Sequence, residues 1–175
     1  MEKVEFLILR NLLHNEEYLR KVVPFIKSEY FEDANQKIVF EEILKFVQEY
    51  NQPATKEVLC IEVENRQDIN ETSFKEITQI ISYLEDEPSE FNWLVDTTEK
   101  WCRDRAIYLA LMESIHIADG KDEKKNRDSI PSILSDALAV SFDTHIGHDY
   151  LLDYESRYES YHKKEEKIEF DLEYF

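Results

Sequence analysis

The sequence predicts an all-α protein. Two glycines and four prolines in 175 residues are too few for the turns of a β-rich fold. Apolar residues recur at three- and four-residue offsets through most of the chain. A hydrophobic content of 42%, with 13% aromatic residues, supports a packed core despite 34% charged residues. Five short-to-medium helices, a long helical hairpin and a C-terminal helix follow from the periodicity.

The first helix is expected over about Glu2–Leu13, with Val4, Leu7, Ile8 and Leu12 inward. His14 and Asn15 break it, and Asn15 can cap a second helix carrying Tyr18, Leu19, Val22 and Val23. Pro24 disfavours an α conformation at Val23 and should end or kink that helix. Ser28–Phe31 reads as a connector whose aromatics plug the core. Asp33 caps a third helix, with Gln36 in the capping-box position and a broad buried face from Ile38 to Tyr50. Asn51 and Pro53 terminate it. Thr55 caps a weaker fourth helix with Val58, Leu59 and Val63. Asn70 or Thr72 starts a fifth, whose Phe74, Ile77, Ile81 and Leu84 step by three, four and three. Asp86–Ser89 stops it.

The hairpin spans Phe91–Phe142. Its first arm runs to about Asp119 without Gly or Pro, and Leu94, Trp101, Tyr108 and Ile115 recur every seven residues, making one stripe. Gly120 and the polar run Lys121–Asp128 break the pattern. The second arm opens at Ser129 with Pro131 in its first turn, where a missing N–H costs little, and carries Ile130, Ile133, Leu134, Ala137 and Leu138. A short polar connection folds two such arms back antiparallel. The upper first arm is apolar over more than one face (Ile107, Tyr108, Leu111, Met112, Ile115, Ile117, Ala118), more than one partner arm can cover. Self-association is therefore expected through Trp101, Tyr108, Met112, Ile115, Leu134 and Leu138.

Beyond a linker at Asp143–Gly147, Asp149 can cap a helix with Tyr150, Leu151, Tyr154, Tyr158 and Tyr161 on one side. A helix that short is marginal alone, so its aromatic face needs a surface to dock on. The alternation Ile168–Phe175 is strand-like and reads as the start of a further domain.

A formal charge of −18 and a pI near 4.6 repel phosphates, which argues against a cationic nucleic-acid platform. The charge serves solubility, attraction of a basic partner, or mimicry of DNA; acids spread over every helix speak against the last. No apolar run approaches the roughly 20 residues of a membrane span and no secretory layout opens the chain, so a soluble, cytoplasmic protein is expected. Cys60 and Cys102 read as buried small hydrophobes. The chain has no phosphate-cradling GxxxxGK[ST] loop and no nucleophile elbow, so no catalytic, cofactor or metal residue is assigned. His145 and His148 with Asp149 could nominally ligate a metal, but a linker with a helix cap explains them more simply. Glu113 with His116 and Glu159 with His162 have the Glu-x-x-His spacing of di-iron bundles, a pairing that chance supplies readily among 39 acidic residues. Aromatics flanked by acids rather than by Lys and Arg do not make a base-stacking surface. Arg103 and Arg105, flanking Asp104, read as interhelical or dimer-contact charges.

The order of these features resembles the N-terminal region of DnaB-type replicative DNA helicases, most closely those of large tailed phages. The resemblance covers essentially the whole chain. It is carried by Ser28–Glu32 followed by Ile38, Phe40 and Ile43; by Asn92–Val95, Thr98–Lys100, Arg105 and Ala106; and by Ile130, Pro131, Ala137 and Leu138. Its strongest part is Ser141–Asp143, Gly147–Asp149, Asp153–Glu155 and Arg157. The resemblance implies a helical bundle over 1–90, a protruding antiparallel hairpin over 91–142, and a linker helix over 143–175 leading into a RecA-like ATPase. It implies a homo-oligomer, with hairpins paired in the collar of a hexameric ring, and primase and helicase loader as partners. It also implies that Tyr150, Leu151, Tyr154 and Tyr158 dock on a neighbouring subunit, and that ATP and Mg belong to a motor domain outside this chain. The parent would be an ATP-dependent helicase. A stand-alone helical adaptor or primase-associated domain is the alternative, and a di-iron bundle enzyme ranks below it.

Overall fold

A computed structural model describes residues 4–121 and 125–142. Seven α-helices make up this part: α1 (Val4–His14), α2 (Glu16–Val22), α3 (Ala34–Tyr50), α4 (Lys56–Glu64), α5 (Glu71–Tyr83), α6 (Phe91–Ala118) and α7 (Ile130–Leu138). Two 3-10 turns, at Ser28–Tyr30 and Arg127–Ser129, complete it, and no strand occurs among the described residues. Met1–Phe142 forms one compact unit. The expectations for Glu2, Asp143–Gly147, the Tyr150–Tyr161 face and Ile168–Phe175 fall outside the described residues.

Side-chain caps start the helices where the sequence places them. The Asn15, Thr55 and Asn70 side chains accept from the backbone N–H groups of Tyr18, Val58 and Ser73. Each satisfies a donor that the helix itself cannot. Asp33 accepts from the N–H groups of Asn35 and Gln36, each at 2.9 Å, but the box stays half made: Gln36 Oε1 is buried without a hydrogen-bond partner. Asn51 ends α3 in the left-handed region (φ 52°). Gly120 (φ 71°) ends α6 in a Schellman motif, in which Lys121 N–H donates to the His116 carbonyl and Gly120 N–H to that of Ile117.

Three expectations need correction. Val23 does adopt an α conformation (φ −52°, ψ −38°) despite Pro24, because its N–H still reaches the Leu19 carbonyl before the chain turns through Phe25. The inward face of α1 is wider than expected: Glu5, Leu9 and Leu13 are buried with Ile8 and Leu12, while Val4 and Leu7 pack on the core half-buried. Glu5 sits inside because its carboxylate accepts the Glu32 N–H at 3.0 Å. At the end of α3, Tyr50 turns out to solvent and leans on Phe46.

One core gathers Ile8, Leu12, Tyr18, Tyr30, Phe40, Ile43, Leu59, Ile77 and Ile81 with Leu94 and Cys102 of the first half of α6, where Thr98 is also buried. The connector's Phe31 stacks on Phe40 and meets Trp101 edge-on, as expected of a core plug. Tyr18 Oη and Thr98 Oγ1 share a buried hydrogen bond of 2.7 Å, and Thr98 Oγ1 also reaches the Leu94 carbonyl at 2.7 Å. Arg10 donates to Glu87 at 2.6 Å, and Asn11 to Ser89 at 3.3 Å, so α1 holds the α5–α6 connection.

Two tests follow from this core. Thr98→Val strands the Tyr18 hydroxyl and should cost about 1–3 kcal/mol in urea unfolding, whereas the double change with Tyr18→Phe should recover most of it. Burial, reinforced by the Glu99 carboxylate, pushes the Cys102 thiol up from 9.0 to about 12. The folded state therefore holds this proton more tightly than the unfolded chain does, and the contribution is complete below pH 9.0 and lost as pH rises towards 12. Cys102→Ala should accordingly flatten the decline in stability above pH 9.0.

Candidate functional site: an exposed apolar stripe on α6

The second half of α6 is covered on one side by α7. Arg127 at the start of the return donates to the Ala118 carbonyl at 3.0 Å, while Arg103 Nε donates to the Val140 carbonyl at 3.0 Å beyond its end. Ser141 Oγ bonds Glu99 at 3.1 Å. The two helices thus run antiparallel, and Phe142 closes the return by stacking on Phe25 with ring centroids 4.7 Å apart. The Ala106, Ala110, Ser114 and Ile117 side of α6 is buried, and so is Ala137 of α7.

The opposite side is bare. Tyr108, Leu111, Met112 and Ile115 are 52%, 48%, 41% and 54% exposed. Offsets of three, four and seven put the four side chains on one helix face. On an ideal helix a seven-residue repeat drifts by about 20° per heptad. Leu94, Trp101, Tyr108 and Ile115 therefore start fully buried at Leu94 and slide, through half-buried Trp101, into solvent. Of the residues expected to self-associate, Tyr108, Met112 and Ile115 share this face. Trp101 is engaged below it with Tyr30 and Phe31. On α7, Leu134 is half-buried and Leu138 is 65% exposed. Ile117, expected on the apolar excess, is buried, and the Tyr150, Leu151, Tyr154 and Tyr158 face lies outside the described residues.

Arg105 supports the stripe from below. Its guanidinium donates to the Tyr30 carbonyl at 2.7 Å and to Glu32 at 2.6 Å, and lies 5.0 Å from the Tyr108 ring centroid. One face of Tyr108 is thus occupied by a cation fixed to the bundle, which limits where the ring can turn. Arg103 and Arg105 both make contacts between elements of the chain, the interhelical alternative of their sequence reading. Sequence reasoning missed Arg105's role because Tyr30 and Glu32 stand more than seventy positions away.

An open cleft of about 470 Å³ lies between the first 3-10 turn, α6 and α7, floored by Ala106, Ala110, Ile133 and Ala137. Of its charged lining, Lys27 pairs with Glu29 and Lys125 with Glu113, and Asp136 adds a further carboxylate. Nothing in it combines a nucleophile with a base. Among the described residues no three of His, Cys, Asp and Glu gather as a metal ion requires, and His116 stands exposed on α6. Glu159, His162, His145 and His148 lie outside the described residues. No described helix is long and apolar enough to cross a membrane. Cys60 and Cys102 are free thiols, Cys102 buried and Cys60 half-buried.

The class this defines is an all-α bundle with a long helical return that presents an apolar face. No family model matches the chain. It is 37% identical to a DnaB-like replicative helicase of Enterobacteria phage T4, across 174 residues covering 95% of this chain and 36% of that protein. This similarity agrees with the resemblance that the sequence motifs carry, and the chain spans about a third of the phage protein's length.

Arg105→Ala should remove the Tyr30 and Glu32 bonds and free the Tyr108 ring, at a cost of about 1–2 kcal/mol in urea unfolding. Arg105→Lys, which keeps the charge but not the planar fork, should recover less than half of that loss.

Proposed function

We propose that this chain is the assembly and recruitment part of a replicative helicase and acts in DNA replication. The observation that carries the reading is the bare Tyr108–Ile115 face on a chain homologous to such a helicase. Four large apolar side chains on one helix face mark an interaction site more often than chance exposure does. In this reading residues 1–90 form the bundle, 91–142 the hairpin that pairs with a second hairpin in the collar of a hexameric ring, and 143–175 the linker. The linker's Tyr150, Leu151, Tyr154 and Tyr158 dock on a neighbouring subunit. Primase and helicase loader engage the collar, and the ATP- and Mg-dependent motor belongs to the rest of the parent protein in the host cytoplasm.

Burying each large apolar side chain contributes about 1.5–3 kcal/mol, enough for a few of them to hold a weak pair together. Sedimentation velocity should therefore show concentration-dependent association of the chain. Tyr108→Asp places a charge in the middle of the face and should shift it to monomer with an unchanged helical spectrum. Equal assembly of wild type and Tyr108→Asp would sink this reading.

A further inference from the structure

The return helix α7 is supported unevenly along its length. Of its nine residues only Ala137 is buried, while Ile130, Ile133 and Leu134 are half-buried and Leu138 is exposed. Apart from the 3-10 turn that leads into it, α7 packs closely on α6 alone among the described elements. Ile133, Asp136 and Ala137 line the open cleft that separates this part of α7 from the first 3-10 turn. A helix this short, with so little buried, is marginal by itself and belongs to the low-stability end of a fold.

The strong ties lie where the return ends. Arg103 Nε donates to the Val140 carbonyl at 3.0 Å, and its Nη2 donates to Glu99 at 2.8 Å. The same Glu99 oxygen accepts the Ser141 hydroxyl at 3.1 Å. Phe142 is buried, and it stacks on Phe25 in the connection that follows α2. At the other end of α7 the ties are Arg127 to the Ala118 carbonyl and Lys125 to Glu113, both on exposed side chains. Exposed ties of that kind contribute little, so the exit carries most of what holds the return down.

We infer that Val140–Phe142 is a latch, and that α7 is a cover which this latch holds over the Ala106, Ala110, Ser114 and Ile117 side of α6. With Phe142 released, α7 keeps only half-buried side chains against α6 and the exposed ties at its tip. It then leaves α6 as a unit while the bundle stays folded. Its departure adds a second face, of small side chains and Ile117, to the bare Tyr108–Ile115 face, so the latch sets how much of α6 the chain presents. The chain continues from Phe142 into residues 143–175, so a pull or turn on that segment reaches the latch first. The device works in the same way whatever occupies the stripe.

The test is hydrogen exchange of the whole chain read by mass spectrometry, in wild type and in Tyr108→Asp, so that the result does not depend on self-association. Amides of α7 should exchange at least about ten-fold faster than those of α1 and α3. Phe142→Ala should speed α7 by about a further ten-fold and leave α1 and α3 unchanged, with Ser141→Ala acting more weakly in the same direction. Thr98→Val, which weakens the core, should speed α1 and α3 and leave α7 as it was. A second readout is thiol labelling of Ser114→Cys in a Cys60→Ser background, since Ser114 lies buried on the covered side and Cys102 is buried in the core. Phe142→Ala should accelerate that labelling by a factor similar to its effect on α7 exchange. If α7 exchanges in step with the bundle, or Phe142→Ala speeds both alike, the latch is overturned. Faster α7 exchange without faster labelling of Ser114→Cys means fraying in place, and overturns the cover.

Discussion

The structure depends on one geometrical mismatch, between the 3.6-residue turn of an α-helix and the seven-residue spacing of the apolar residues along α6. A strict heptad stays on one face only if the helix supercoils around a partner. The bundle packs on α6 through α1, α2 and the first 3-10 turn, mainly along its first half, so the stripe beyond is free to drift. Leu94 belongs to the core, Trp101 rests half-buried on Tyr30 and Phe31, and Tyr108 and Ile115 emerge. Meanwhile the small residues Ala106, Ala110 and Ser114 rotate in to receive α7. One helix therefore serves as core, as scaffold for its own return, and as an open face.

Polar ties fix how the bundle holds this helix. Tyr18 with Thr98, Arg10 with Glu87, Glu5 with the Glu32 N–H, and Arg105 with the Tyr30 carbonyl each join elements distant in sequence. The Tyr18–Thr98 bond is buried and the others partly so, and a buried polar group left alone costs more than its hydrogen bond contributes on average. Their value is specificity: apolar packing alone tolerates a helix rotated or slid by a residue, whereas a 2.7 Å bond to Thr98 does not. Arg66 does the same on the far side, holding Asp68 and the buried Glu42 in one fork between α3 and the α4–α5 connection.

The helices were legible in the sequence because each has a local cause. Asn15, Asp33, Thr55 and Asn70 cap through atoms two or three residues away, and Gly120 supplies the left-handed turn where the long arm stops. What escaped was whatever a distant partner decides. Glu5 is buried because of Glu32, Gln36 is left half-satisfied, and Tyr50 leans on Phe46 at the surface. The α conformation at Val23 was lost to a general pre-proline preference that one backbone bond to Leu19 overrides. For the stripe, the apolar excess was visible in composition, but which of its members face outward was not. Ile117 and Ile115 are two positions apart and equally apolar; a helix puts them on different sides, and α7 covers only one.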